Sequence, residues 1–382
     1  MVQNVSMSRM TPTSRRSFLI SLGGATAIAA LRPRAAAADE QFPSEIATLY
    51  RKSVVIDTQC RPFTSADSLP DKAAIQAVKQ SGITAINFTV SGSSFEETVR
   101  ALAYLDALVE QWPDVFTVIR IHEDIAHAKH DGKLGIMPGF QYVSFLEADP
   151  SRMEMFRRLG VRIMHLTYND RSIFGDGCLE PDNAGLSRAG QSAVQKMNEL
   201  GVAIDLSHSG YRTTSEAIET SKKPVLITHA GCASIYAHPR NKPDEIMRAL
   251  ADKGGYFGVY LMLQLVAPPT VPTREDAIKH ILHAINVCGI DHVGIGSDGS
   301  IQAVSPTPEQ KKVWDDDIAR RKKLGIWYPG EDRYPYVPDN NGPDHVALIA
   351  TELQKRGQPA SVVEKVLGAN FQRIIGEIWG ST

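Results

Sequence analysis

Two short apolar runs, residues 202–206 and 225–228, end in the same way, with a polar residue followed by a histidine. The first continues as Asp205-Leu206-Ser207-His208, and the second closes on Thr228-His229. Between them lies one helix-sized stretch, residues 211–221. A strand, a crossover helix and a second strand of that spacing run parallel, so both histidines stand just past C-terminal strand ends. In a barrel of parallel strands those ends form the mouth where catalytic groups gather. Neutral imidazoles on neighbouring rigid strands are half of a site for zinc or a similar ion. The plainer alternative is a pair of structural loop histidines in an α/β protein.

The rest of the chain repeats the alternation. Strand-like runs fall at residues 54–57, 83–90, 116–121, 134–140, 162–167, 202–206, 225–228, 256–260 and 293–297. A lead-in helix is expected at 41–53. Helical periodicity appears at 95–110, 151–159, 187–200, 244–251 and 274–287. Gly82, Gly160, Gly201, Gly255 and Gly289 punctuate the turns. Nine strand candidates for eight places predict a (β/α)8 TIM barrel with residues 116–121 as an accessory strand. A doubly wound open sheet is the alternative, but no glycine-rich dinucleotide loop follows the first strand. Residues 300–341 are poorly periodic and rich in charge, Pro and Tyr/Trp, the marks of a functional loop. Two amphipathic helices, 344–356 and 360–379, are expected to close the barrel.

Composition narrows the function. A net charge of −2 argues against nucleic acid or an anionic membrane surface as partner. The four cysteines (Cys60, Cys178, Cys232, Cys288) form no CxxC pair, and nothing forces a disulfide framework. The segment Arg15-Arg16-Ser17-Phe18-Leu19, an apolar run over 19–31 and the small residues 35–38 read as a Tat export signal spanning 1–38. That apolar run is shorter than the ~20 residues a span requires. The expectation is therefore a periplasmic protein, a partner of the Tat machinery only during export, with residues 39–382 forming one barrel domain.

The segment 185–241, with its Gly-Leu-Ser-x-x-Gly start, the Asp-Leu-Ser-His and Thr-His strand ends and Arg240-Asn241, resembles the renal (membrane) dipeptidase family, zinc peptidases of the amidohydrolase kind. Gly368-Ala369-Asn370-Phe371-Gln372-Arg373 is similar to that family's closing segment, and the resemblance spans residues 53–379. It implies a dizinc hydrolase of small peptides, commonly a homodimer. His208 and His229 match two metal ligands, Asp298 matches the acid that handles the nucleophilic water, and Arg240 matches the arginine that grips a substrate carboxylate, with Asn241 beside it. Two metals sharing a hydroxide explain why such a set is needed.

The early strands depart from the pattern. Gln59 stands at the place of a histidine ligand and Arg61 at that of an aspartate, although Asp57 is kept. Gln141 replaces the bridging glutamate, and Tyr168 replaces a substrate-contacting histidine. What remains for a metal is His208 and His229, with Gln141, Asp298 and Asp57 as further candidates; this predicts one zinc ion or none. Three readings stay open. One is a hydrolase of dipeptides or related amides with one metal and Arg61 as second electrophile. Another is metal-free chemistry, with His208 or His229 as acid or base, Arg61 and Arg240 on carboxylates and Tyr168 as donor. The last is a non-catalytic periplasmic binding or maturation protein. Cys60 reads as an inert buried thiol and His165 as packing or a satisfied polar group. His238, His292 and His345 read as surface or loop residues, Asp170, Arg171 and Asp176 as loop supports, and Tyr260 as either pocket wall or packing.

Overall fold

A computed structural model describes residues 42–380 except 65–68, 148, 325–326, 329 and 334. The export signal expected at 1–38 lies outside the described residues. Eight parallel strands form the barrel: β1 (Ile56–Asp57), β2 (Ala85–Thr89), β3 (Leu134–Phe140), β4 (Ile163–His165), β5 (Ala203–Asp205), β6 (Leu226–Ala230), β7 (Tyr256–Val259) and β8 (Val293–Ile295). They neighbour one another in that order. Thr58 brings the two ends together, donating its backbone N–H to Ile295 O at 3.0 Å. The strand Phe116–Val118 pairs only with β3, so it is the accessory strand that the count of nine required.

The strands are mostly apolar and, Thr89 apart, buried, as expected where helices cover one face and barrel-core side chains the other. Helix ends follow their caps. Ser187 accepts from Gly190 N at the start of Arg188–Leu200, and Gly201 closes it with φ 63°. A Cβ on Gly190 would lie 1.9 Å from Phe174 O, so the final glycine of Gly-Leu-Ser-x-x-Gly permits a close backbone approach. That motif holds the scaffold before the site begins.

Three expectations need correction. Residues 300–341 contain a 17-residue helix, Pro308–Leu324, that weak amphipathicity had hidden. The last expected helix is interrupted at Lys365–Ala369, where a Cβ on Gly368 would sit 2.5 Å from Val54 O. Helices Lys72–Ser81 and Glu123–Asp131 were not foreseen. Among the described residues no helix is long and apolar enough to cross a membrane, and all four cysteines are free thiols.

Candidate active site

His208 and His229 meet at the mouth. Their Nε2 atoms are 3.0 Å apart, and both rings are buried. The register between β6 and β7 shifts between Ile227 and Ala230, an irregularity of the kind that re-aims side chains at barrel rims. What the other ring nitrogens touch fixes the tautomers. His208 Nδ1 is 2.7 Å from Asn169 Oδ1, an acceptor, so Nδ1 carries the proton. Thr228 Oγ1 donates to Asp205 Oδ2 and lies 2.8 Å from His229 Nδ1, from which it therefore accepts. Both Nε2 atoms consequently present lone pairs, and the two lone pairs face each other. Burial, then the charge of Arg240, holds both imidazoles well below their ordinary range, which keeps them neutral.

Asp205 anchors this arrangement. It accepts from Ser207 N at 2.9 Å and Ser207 Oγ at 2.5 Å, and His165 Nε2 is 3.0 Å away. Burial alone would raise its carboxyl, but His165 and His229 with these hydrogen bonds hold it far below the carboxylate range. It is a fixed anion beneath the histidine pair.

Arg240, Asn241 and Lys242 tie the mouth loops together. Arg240 donates to Ser207 O and to His229 O (3.3 Å), and its Nη2 is 3.3 Å from His208 Nε2. Asn241 Nδ2 donates to Tyr236 O and Gln264 O, and its Oδ1 accepts from Tyr260. Lys242 Nζ donates to Ser209 O at 2.6 Å. Arg240 is 4 % exposed, so its guanidinium braces the pair from behind. Asn241, expected as a substrate contact, has its amide engaged by Tyr236, Gln264 and Tyr260 in this structure.

Asp298 occupies the left-handed region at φ 55°, an uncommon conformation for a non-glycine residue and one often kept for placing a functional group. Its N–H donates to Gln59 O at 2.7 Å. Directly beyond, Gly299–Ser300 runs parallel to Cys60–Arg61, with Ser300 opposite Arg61. The loop after β8 is thus zipped to the loop after β1. Burial raises the Asp298 carboxyl, Arg240 and Arg61 partly offset this, and the net effect places it at about 6. Arg61 is exposed, and its guanidinium makes no hydrogen bond or ion pair among the described residues.

The mouth above β1 to β3 is differently made. Gln59 donates to Thr89 Oγ1 at 2.9 Å and accepts from Asn87 at 3.1 Å. Gln141 is buried, with its backbone N–H bonded to Ser91 Oγ. Asp57 faces Ser297 N at 2.8 Å, Gln59 N at 3.3 Å and His345 Nε2 at 2.8 Å. With Cys60 and His345 it forms one of two buried groups, among the described residues, whose ligand atoms lie within 4.8 Å of one another, the other being His165, Asp205 and His229. His345 is no surface residue. It is buried, and both its ring nitrogens face oxygens, Asp57 Oδ2 and Gly342 O. His238 is also buried, 4.2 Å from the Tyr328 ring. His292 is half-buried and bonded to Gly255 O. Arg171 pairs with Asp176 across their loop. Cys60 is buried, and burial followed by Asp57 pushes its thiol up, away from nucleophilic use. Tyr168 stacks on His208 at 4.2 Å and on Tyr142 at 4.4 Å.

The residues that sequence reasoning missed are Asn169, Thr228 and Asp205 as orienting groups, and His165. His165 lies 5.4 Å from the His208 ring, with Nδ1 buried and unpartnered. Asp205 was visible within the Asp-Leu-Ser-His strand end, where alternation turns it inward. Asn169 carried no signal beyond its place next to Tyr168.

Comparison with known proteins places the chain among relatives. The chain is 32 % identical over 290 residues to dipeptidase verJ of Clonostachys rogersoniana, covering 75 % of this chain and 66 % of that protein. It is 26 % identical over 292 residues to dipeptidase tcpJ of Claviceps purpurea, covering 76 % and 61 %. The chain thus spans less than two thirds of the length of these relatives. Among solved structures, an amidohydrolase from Pseudomonas aeruginosa superposes with a TM-score of 0.76 at 30 % identity, covering 88 % of this chain and 99 % of that one. The sequence model of the membrane dipeptidase family, Peptidase family M19, matches residues 49–310, and the chain belongs to that family.

Proposed function

We propose that the chain is a hydrolase of dipeptides or related small amides that works with a single metal ion. The carrying observation is the pair of Nε2 lone pairs 3.0 Å apart on His208 and His229. Two facing lone pairs repel, and a cation between them removes the repulsion. Zinc takes imidazole nitrogens at ~2.0–2.1 Å, which sets two of its tetrahedral ligands roughly 3.3 Å apart. The residues fit one such ion, with Asn169 and the Thr228–Asp205 chain orienting the two rings. They lack the residue types that the family resemblance implies for a second. Gln59 is bonded at both ends of its amide, Asp57 is paired with His345, and Arg61 is cationic.

An ion held there would supply Lewis acidity toward the scissile carbonyl and an attacking water. The chain's own part is proton handling and placement. Asp298, at about 6, accepts the proton of the attacking water and returns it to the leaving amine. Arg240 keeps the histidine pair aligned, and Tyr168 packs over His208 with its phenol protonated, since burial pushes it well above its usual value. One observation favours a second reading: Arg240 Nη2, 3.3 Å from His208 Nε2, can donate into that lone pair without any ion. His208 and His229 would then act as a metal-free acid–base pair. Export by the Tat route, periplasmic location and a homodimeric state are further parts of the proposal, supported by the arginine pair near the N-terminus and by the family resemblance.

Elemental analysis of chelator-free protein, with a dipeptide panel assayed with and without chelator, tests the reading. One ion per chain and turnover lost with chelator or in His208→Ala support the hydrolase. Chelator-insensitive turnover without metal moves the assignment to the metal-free pair. Absence of product, with melting temperature raised by a dipeptide, moves it to a binding protein.

A further inference from the structure

A cavity of ≈ 180 Å³ lies over the ladder that joins the loops after β1 and β8. Its floor is the zipped ladder, with Arg61, Ser297, Gly299 and Ser300, and its roof comes from Val304, Pro306, Trp314 and residues between Pro335 and Gly342. The roof is apolar and aromatic, with Val304, Pro306, Trp314, Pro335 and Val337 among its residues. Ser297 and Gly299 flank Asp298, so the cavity adjoins the site without reaching His208 or His229.

Its polar groups divide sharply. Asn340 and Asn341 line it, but their amides are engaged with His345 O, Arg274 and the backbone of Val304. His345 is held by Asp57 and Gly342. Three groups are left over. Ser300 is 7 % exposed, and its Oγ is buried without a hydrogen-bond partner. Trp314 Nε1 is buried and likewise unpartnered. The Arg61 guanidinium, opposite Ser300 in the ladder, has no partner among the described residues. Buried polar groups almost always find a partner, so Ser300 Oγ and Trp314 Nε1 each ask for one, while Arg61 stands at the exposed rim as a charge without a protein partner among the described residues. All three leftover groups can donate, and none is an anion.

We infer that this cavity is a subsite for the carboxylate of an apolar, carboxylate-bearing substrate end, bound by Arg61 and Ser300 with its hydrocarbon body against Trp314 and the proline-rich roof. A guanidinium offers the planar two-pronged donor that a carboxylate takes. The family resemblance assigns that task to Arg240, but in this chain Arg240 is buried against Ser207 O and His229 O, leaving Arg61 as the available cation. The inference rests on reading the mouth as a small-amide hydrolase site, and it narrows the substrate to one with a free carboxylate on a bulky apolar group.

Binding measured by calorimetry tests it without turnover. The probes are 3-phenylpropanoate, which has no scissile bond, its neutral amide and acetate. The expected result is that phenylpropanoate binds at least tenfold more tightly than either control. Arg61→Gln should bring the acid down to the level of its amide, Ser300→Ala should weaken the acid several-fold, and Trp314→Ala should weaken acid and amide together. The His208→Ala/His229→Ala protein should keep the preference, which separates this subsite from a carboxylate resting on the histidine pair. Equal binding of acid and amide, an unchanged preference in Arg61→Gln, loss of binding in the double histidine variant, or no saturable binding of any probe would each overturn it. Failure of the hydrolase reading appears separately, as absence of product with this binding intact.

Discussion

The two halves of the barrel mouth solve the same packing problem in opposite ways. Above β5 and β6, buried imidazoles are oriented by outside partners so that their lone pairs stay open and converge. Above β1 and β2, the polar side chains close on one another: Gln59 with Asn87 and Thr89, Asp57 with His345. A polar group buried without a partner costs roughly 1–3 kcal/mol, so either arrangement must be satisfied somehow. The first half turns its lone pairs toward each other; the second pairs most of its groups internally, with Asn87 Oδ1 left buried without a partner. Family membership alone would predict two equivalent halves. Ligand residue types decide which half stays open.

Asp298 lies where the halves meet, and its loss should have the largest effect. Asp298→Asn keeps the shape and removes the base. If proton transfer is its role, kcat/KM should fall by roughly 10²–10⁴-fold. The pH profile of the parent should rise through an ionisation at about 6, and the variant should lack that limb. Stability should move the other way. The folded carboxyl holds its proton more tightly than the unfolded one, so its ionisation destabilises the fold above pH 6. The variant should therefore be more stable at pH 7, by about 1–2 kcal/mol at 1.36 kcal/mol per unit with allowance for its partial exposure. That gain should fade as pH falls from 6 toward 4. Denaturant titrations at the two pH values check it.

The closed half should break through stability. His345→Ala leaves Asp57 Oδ2 without its partner and frees the start of helix His345–Lys355 from β1. Removing one member of a buried pair costs about 3–5 kcal/mol. His208→Ala, by contrast, removes a group whose Nε2 faces only another lone pair and Arg240, and should cost clearly less. If the two variants unfold at the same denaturant concentration, the contrast between closed and open halves is wrong.

A third experiment tries to convert one half into the other. Gln59→His, Arg61→Asp and Gln141→Glu together restore the residue types that the family resemblance implies for a second ion. If those side chains are the reason for the closed half, elemental analysis should rise from about one ion per chain to about two. No rise would mean that the Asn87–Thr89 network, rather than ligand identity, fixes that half.

Much of this was legible beforehand, for physical reasons. The strands are short apolar runs whose spacing announces parallel pairing, and the accessory strand followed from having one candidate too many. His208, His229 and Asp298 stand directly at strand ends, where chain position is nearly site position. Groups held by contacts distant in sequence were hidden. His345 meets Asp57 across 288 residues, and nothing local distinguishes it from a loop histidine. Arg240 looked available because a motif does not reveal what a guanidinium already touches. The helix Pro308–Leu324 carries charges around most of its surface, and without an apolar stripe the periodic signal fails.

Tyr168 offers the finest test of the comparison, because it covers the open half without belonging to its hydrogen-bond network. Its ring stacks between His208 and Tyr142. Were its hydroxyl the proton donor of a metal-free reaction, Tyr168→Phe would lose as much as Asp298→Asn. If the ring matters and the hydroxyl does not, Tyr168→Phe should lose less than about fivefold in kcat/KM, under 1 kcal/mol at 1.36 kcal/mol per tenfold. Tyr168→Ala should lose more, because His208 then has no ring over its face and its Nε2 is no longer held on His229. Comparing the two variants on one substrate separates chemistry carried by an oxygen from alignment carried by a flat surface. The open half owes its convergence to such alignment as much as to its lone pairs.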